Sequence, residues 1–408
     1  MTASEPINDA PERLPLPDFD LSLVRKMQTA MQPHHLPSSE EFELGMRCFP
    51  GEKLGGDLFD FIRITDDVMA FLMVDVAAPG PQAVMTAAMV KLCITDHIRQ
   101  KVSPFAVIER VNKELLRDIG AELGIAAFVG YLDLHDNEFA YCNAGFSGTL
   151  IFRRRGETIE QLASHGTGIG RTPRGIGGED RVHLAQGDCL VLFTDGLYRL
   201  FDMIIPAVER AQAGAFIRSV LLKSSASSLV TRIERQYAAC TSRCTIEDDL
   251  TIMYVEMLTR SRKEQIKEKL GFGVSEVVYL QFLNYLEEMD RTASAILSAM
   301  DVAGFPDDMI RKMKIVLAEL LVNAIVHGNK RDSMKRVVVG HNIDRQRAVI
   351  SIMDEGEGFE PKIIPDPTLP ENLDKPCGRG LFIVRHYVDS IAFNKAGNRV
   401  TITKNNVI

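Results

Sequence analysis

Acidic residues stand at the ends of apolar, strand-like runs, and this arrangement constrains the chain more than any other feature. Asp57 lies in LGGDLFDF, directly before a strand-type run, and Asp75 ends the apolar run MAFLMVDV. Asp195 follows CLVLFT and precedes Gly196, while Asp248 and Asp249 open DDLTIMYV. Carboxylates at the ends of buried strands gather at one rim of a sheet, where their charges repel unless cations neutralise them. Oxygen donors of this kind suit Mg²⁺ or Mn²⁺, and two such ions can orient a water for in-line attack on phosphorus. Glycines in GGD and TDG permit the close backbone approach that such a centre needs. A single Asp beside a Gly is usually a turn residue; four such positions at strand boundaries, in this order, are not explained by turns.

The remaining composition is that of ordinary globular protein. Of 408 residues, 46% are hydrophobic and 25% charged, enough for two or three domains. Lys plus Arg number 47 against 55 Asp plus Glu, a net charge of -8, which argues against a general nucleic-acid binder. No apolar run reaches the ~18 residues of a membrane span. The N-terminus MTASEPINDAPERLPLPDFD lacks a secretory pattern. The seven cysteines include no CxxC pair, so they read as reduced thiols of a cytoplasmic protein.

Along the chain, residues 1–17 read as a flexible tail. Residues 18–37 hold a short amphipathic helix and its connector, with Leu21, Val24, Met27, Gln28 and Met31 at helical spacing. That stripe either covers the adjacent domain or pairs with a second copy. Residues 38–257 form the first domain, reading as eight strand-like runs, one long helical stretch over about 80–120 and another helical region over about 205–238. A charged stretch, 258–270, is the linker, and 271–408 is the second domain: helix, helix (306–327), two strands, a loop, a helix (380–388) and two more strands. Strands with interspersed helix pairs indicate an α+β layer structure.

The first block resembles the PPM (type 2C) metal-dependent serine/threonine phosphatases, in their SpoIIE/RsbU-like branch. The resemblance rests on QTAMQPHHLP, GEKLGGDLFDF, VDVAAPGPQAVM, NAGFSGTLIF, GDCLVLFTDG and DDLTIMYV. It implies a β-sandwich flanked by helices and a binuclear Mn²⁺ or Mg²⁺ centre, with hydrolysis that makes no phosphoenzyme. By the same resemblance Asp57 and Asp75 bridge the ions, helped by the Val76 carbonyl, Asp195 and Asp248 complete the shell of the second ion, and Asp249 lies just behind. The chain departs from the family pattern at Ala78-Pro79-Gly80, at Phe146 after Asn143-Ala144-Gly145, and at Arg199, where an acidic residue is common.

In the second block, the run KIVLAELLVNAIVHGN repeats Glu319, Asn323 and His327 every fourth residue, so an α-helix carries them on one face. A polar ligand or a solvated stripe would both explain that face. The strand AVISIM then runs into Asp354-Glu355-Gly356-Glu357-Gly358, and Gly378-Arg379-Gly380 opens a helix. Glycines before a helix start expose N–H groups that can hold phosphate. A strand-end carboxylate such as Asp354 can accept a hydrogen bond from an adenine amino group. An Asn beside a carboxylate can hold Mg²⁺.

This trio resembles the N, G1 and G2 boxes of the GHKL ATPase fold, an α/β sandwich, and the GRGL spelling is similar to that of RsbW-like anti-sigma serine kinases. The resemblance implies ATP with Mg²⁺ as cofactor, Glu319 as catalytic base and Asn323 as Mg²⁺ ligand. Asp354 would read adenine in a pocket shaped by Gly356 and Gly358. Arg379, with Gly378 and Gly380, would contact phosphates, and residues 361–376 would be the lid. His327 either supports this site or packs.

Together the two resemblances imply a bifunctional regulator acting on a STAS-type anti-sigma factor antagonist, with a sigma or anti-sigma factor as a further partner. A second reading makes the C-terminal block a binding module for nucleotide or such a partner, without phosphotransfer. A phosphatase reduced to a scaffold is a third.

Overall fold

The computed structural model describes residues 21–33, 39, 41–65, 67–78, 80–120, 124–204, 211–224, 226–242, 245–273, 276–283, 289–332, 335–359 and 379–406. Its first unit is a sandwich of two five-stranded antiparallel sheets. One sheet runs β1 (Phe42–Phe49), β10 (Leu250–Met257), β9 (Cys189–Phe193), β6 (Gly148–Arg153), β7 (Thr158–Gln161). The other runs β2 (Leu58–Arg63), β3 (Val68–Val76), β4 (Ile125–Asp133), β5 (Glu138–Ala144), β8 (Asp180–His183).

The sandwich explains why its central strands show little alternation. In β3, Met69, Phe71 and Met73 point between the sheets. Ala70, Leu72 and Val74 point the other way, under α2 (Pro81–Arg99) and α3 (Pro104–Asp118). A strand covered on both faces must be apolar throughout. The other sheet's outer face is covered by α4 (Gly196–Ile204), α5 (Ala211–Lys223) and α6 (Ala226–Thr241), which pack on Val191, Phe193 and Ile252. Fully buried aromatic side chains such as Phe71 contribute most; truncation to Ala costs about 3–5 kcal/mol. The short helix α1 (Leu21–Met31) docks Val24 against Leu54 and Val84.

Two expectations need correction here. The long helix over 80–120 is two helices, because Lys101 takes a left-handed φ of 56° and Ser103 caps α3 ahead of Pro104. Pro disfavours helical backbone in the residue before it, so the break falls there. The edge strands β7 and β8 were not anticipated; TIEQ and DRVH are short, largely exposed and without an apolar run.

The second unit is one antiparallel sheet, β11 (Tyr279–Leu283), β12 (Val337–Ile343), β13 (Arg347–Asp354), β15 (Arg399–Asn405), β14 (Ser390–Phe393). One face packs on α8 (Met289–Val302), α9 (Asp307–Val322) and α10 (Arg379–Tyr387) through Ile296, Leu317, Leu321 and Val384. The charged stretch after the first unit forms α7 (Arg260–Lys269), capped by Thr259, and its Ile266 joins Leu280 and Val338 on the sheet's opposite face. β11 was also not anticipated.

A buried ionic joint ties the units together. Glu43 of β1, whose side chain is 2% exposed, accepts from Arg336 Nη2 at 3.0 Å, from Arg262 Nη2 at 3.4 Å and from Tyr254 Oη at 3.2 Å. Burial alone would raise the Glu43 pKa, but Arg336 and Arg262 outweigh it and hold the carboxyl below its usual range. The same Arg336 guanidinium reaches Glu355 at 3.2 Å, so the joint ends next to Asp354.

Candidate active site

The strand ends of both sheets meet at one rim of the sandwich. Asp57, Asp75, Asp195, Asp248 and Asp249, with Val76, line a single cavity of about 390 Å³. Four separate segments supply these groups, which is why no local pattern shows them as neighbours. The glycines before Asp57 make the approach possible. A Cβ on Gly55 would stand 2.4 Å from Asp249 Oδ2, and one on Gly56 would stand 2.6 Å from Val76 Cβ.

The carboxyls differ in what holds them. Asp57 Oδ2 accepts from the hydroxyls of Thr194 and Thr251, both at 2.8 Å. Asp249 is tied down on both oxygens, by the Gly51 amide at 2.8 Å and by Gln28 Nε2 at 2.7 Å. Gln28 belongs to α1 and also donates to the Gly55 carbonyl. Asp195 accepts from Arg199 Nη2 at 3.1 Å, and Asp248 pairs with Arg199 Nη1. Burial, then the charges of Asp75 and Asp249, push the Asp57 pKa well up. Burial, then Asp195, raise Asp75 to about 7. Sequence reasoning missed Thr194, Thr251 and Gln28 as members of the site, although each lies inside a quoted motif.

This donor set fits hard divalent ions. It is oxygen-only and rich in negative charge, and two of its carboxyls are driven toward protonation by burial and then by mutual repulsion, which a cation would relieve. In the structure Arg199, Gln28 and Gly51 take up the free oxygens, and among the described residues no three acidic, His or Cys groups converge on one point.

The second unit has a cavity of about 600 Å³ lined by Asn323, His327, Asp354 and Gly358 together with Lys330, Lys335 and Arg399. Those three cations carry no pattern in the sequence. The expectation of a straight α-helix through His327 needs correction. α9 ends at Val322 and continues as a π-helical turn, Asn323–Gly328, closed by Asn329 N to Ala324 O at 2.8 Å. Such wider turns are rare and often sit at functional sites. They turn Asn323 and His327 onto the cavity wall, while Glu319 lies one turn back and does not line it. Gly380 brings the start of α10 against that carboxylate, since a Cβ there would stand 2.2 Å from Glu319 Oε2.

Asp354 accepts from the Gly356 amide at 2.8 Å, and burial raises its pKa. Gly358 has φ 76° and its Cβ position lies against the Ala396 carbonyl, so both backbone conformation and space require glycine. A side chain on Gly328 would meet the Asp354 carboxyl, a second close approach the sequence did not reveal. Gly378, Pro79 and the expected lid 361–376 lie outside the described residues, as does the side chain of Arg379.

Residues 65–258 match the family model of stage II sporulation protein E, SpoIIE, and residues 283–404 match that of the histidine kinase-like ATPase domain. The chain joins a SpoIIE-type domain to a histidine kinase-like ATPase domain. The chain aligns with the phosphoserine phosphatase RsbU of Bacillus subtilis, 21% identical over 178 residues, 44% of this chain and 53% of that protein. It also aligns with protein IcfG of Synechocystis, 24% identical over 207 residues, 44% of this chain and 32% of that protein. The matched regions therefore span about half and about a third of these relatives. Among solved structures, the RsbU and RsbW domains of Rv1364c from Mycobacterium tuberculosis superpose over 92% of this chain and 95% of that one, at 16% identity and a TM-score of 0.49.

Proposed function

We propose that the chain is a bifunctional regulator that removes phosphate from, and adds phosphate to, a serine or threonine of a STAS-type anti-sigma factor antagonist in a bacterial partner-switching pathway. The observation that carries this reading is the pairing, in one chain, of a five-carboxylate rim with a cavity holding Asn323 and Asp354. The relative named phosphoserine phosphatase RsbU supports the first half.

In the SpoIIE-type domain, Asp57 and Asp75 with the Val76 carbonyl would hold the Mn²⁺ or Mg²⁺ ions, with Asp195 and Asp248 completing the set around the second ion. When bound, such ions supply an activated water and charge neutralisation at phosphorus. The chain's own part is positioning. Thr194 and Thr251 fix the Asp57 carboxylate, and Gln28 and Gly51 hold Asp249 behind it. A neighbouring cavity of about 780 Å³ shares Thr167 with the acidic one and suits a protein segment flanking the phosphoresidue.

In the ATPase-type domain, Asp354 would accept from the adenine amino group and Asn323 would hold Mg²⁺, while Lys330, Lys335 and Arg399 offer positive charge nearby. Glu319 would take the proton of the acceptor hydroxyl, and Arg379 with Gly378 and Gly380 would meet the phosphates. One observation favours a second reading, in which this domain binds nucleotide or a sigma or anti-sigma factor without phosphotransfer. Glu319 stands behind Gly380 and off the cavity wall.

Cytoplasmic placement belongs to the same proposal; no described helix is long and apolar enough to cross a membrane. Leu23 and Met27 of α1 and Met85, Met89 and Leu92 of α2 are exposed apolar side chains. They give the N-terminal helix a face suited to pairing with a second copy.

The deciding experiment follows a STAS antagonist on a phosphate-affinity gel in two arms. Asp57→Ala protein with ATP and Mg²⁺ should phosphorylate the unmodified antagonist. Wild-type protein with Mn²⁺ and no nucleotide should dephosphorylate the modified one. Loss without gain selects the second reading, and neither change excludes this antagonist as the substrate.

A further inference from the structure

Arg199 is placed by backbone that leaves it little choice of neighbourhood. Asp195 stands at the entry of α4, where its carbonyl accepts from the Arg199 amide at 3.2 Å. Arg199 lies one turn in, so its side chain returns over the Asp195 carboxylate. The helix start is pressed against β10. A Cβ on Gly196 would stand 2.2 Å from the Asp249 carbonyl oxygen, and this contact brings α4 beside Asp248. One guanidinium thereby spans two carboxylates that come from different strand ends, through Nη2 to Asp195 and Nη1 to Asp248. Asp75, deeper in the cavity, feels the same positive charge.

We propose that Arg199 is a tethered counter-ion of the acidic cavity. Its guanidinium neutralises Asp195 and Asp248 in place of a second divalent ion. The cavity then takes one ion tightly at Asp57 and Asp75, and a second only when Arg199 swings out. The side chain is 54% exposed, so an outward rotamer is open to it. Its residual attraction to the two carboxylates is of the weak, solvent-screened kind that a divalent ion can displace. A cation left within a few ångströms of an incoming divalent ion repels it strongly, which separates the two binding affinities. In this centre, occupancy of the second position follows the local ion concentration, whereas occupancy of the first does not. A phosphoryl group entering the cavity offers the displaced guanidinium an alternative anion, in the bidentate geometry that arginine favours. The inference rests on the metal-centre reading given above.

The test titrates Mn²⁺ alone into chelator-treated full-length protein, by calorimetry and by electron paramagnetic resonance of the free ion. Wild type should bind one ion tightly and a second at least about tenfold more weakly. Arg199→Gln should tighten the second by about tenfold or more and leave the first within about threefold, whereas Arg199→Lys should keep the second weak. Melting curves in chelator serve as a second readout, with Arg199→Gln lowered and Mn²⁺ restoring it by more than in wild type. Two ions of equal affinity in the wild type would overturn the proposal without any variant. So would a second affinity that Arg199→Gln does not change, and in both cases the metal centre itself would stand. Absence of any bound ion in wild type and variant would overturn the metal-centre reading and the role of Arg199 with it.

Discussion

The acidic cavity of the first unit and the nucleotide-type cavity of the second differ in what holds their side chains. The first sits where strand ends of a doubly covered sandwich converge, and its key carboxyl, Asp57, is locked by two threonine hydroxyls from neighbouring segments. Its five carboxylates outnumber the cations that line it, Lys53, Arg171 and Arg199. The second is built on a wide helical turn and two glycine-dependent contacts, and it mixes Asp354 with Lys330, Lys335 and Arg399. A cavity dominated by carboxylates on rigid strand ends is prepared for a compact cation. A mixed cavity beside a helix end is prepared for a larger ligand carrying both hydrogen-bonding and anionic parts.

The largest expected effect separates the two. Asp57→Ala should lower phosphoserine hydrolysis by at least about a hundredfold, while binding of a fluorescent ATP analogue stays unchanged. The mirror experiment is Asp354→Asn. Loss of a charge-assisted hydrogen bond costs about 1.5–3 kcal/mol, so the analogue should bind roughly tenfold to a hundredfold more weakly with hydrolysis intact. If either variant disables both activities, the cavities are not independent.

The joint between the units offers a sharper test. Arg336→Ala leaves Glu43 buried with half its positive partners gone, a loss of about 3 kcal/mol in denaturant unfolding. Small-angle scattering should show whether the units also separate. Glu43→Gln should cost less, because no charge is then left uncompensated.

The second unit also has its own pH signature. Burial pushes His341 of β12 down to about 4, and its Nδ1 has no hydrogen-bond partner. The unfolded chain takes up a proton near pH 6.5 and the folded chain only near 4. The contribution of His341 to stability should therefore be constant above about 6.5 and fall by up to about 3 kcal/mol as pH drops toward 4. His341→Phe should flatten that slope in thermal melts. The smallest effect is Gln28→Ala, which frees one oxygen of Asp249 and should cost about 1 kcal/mol.

How much of this the sequence revealed depends on where each signal was stored. The central strands were legible because apolar runs of eight or nine residues between turn signals admit few other readings. The strands β7, β8 and β11 were not, since their pairing comes from neighbours rather than from their own composition. The aspartates were legible because each occurs at the boundary of such a run. Thr194 and Thr251 stood beside them in the same motifs, yet nothing local shows that both hydroxyls point at Asp57. The fourfold spacing picked out Asn323, which lines the cavity, and Glu319 of α9, which stands off its wall. The π turn that follows is a product of packing against β13 and Gly356, so the register of His327 could not be read.

By itself the sequence determined which segments are buried strands and which residues carry charge at their ends, because hydrophobic periodicity and residue chemistry are local properties. Only the tertiary structure decided which ends meet. It set Arg199 between Asp195 and Asp248, tied Gln28 of a distant helix to Asp249, and joined the two units through Glu43 and Arg336. Those pairings link residues as many as 293 positions apart. They follow from the closing of the sandwich around its core and from the packing of the second unit against it, global conditions that no window of sequence contains.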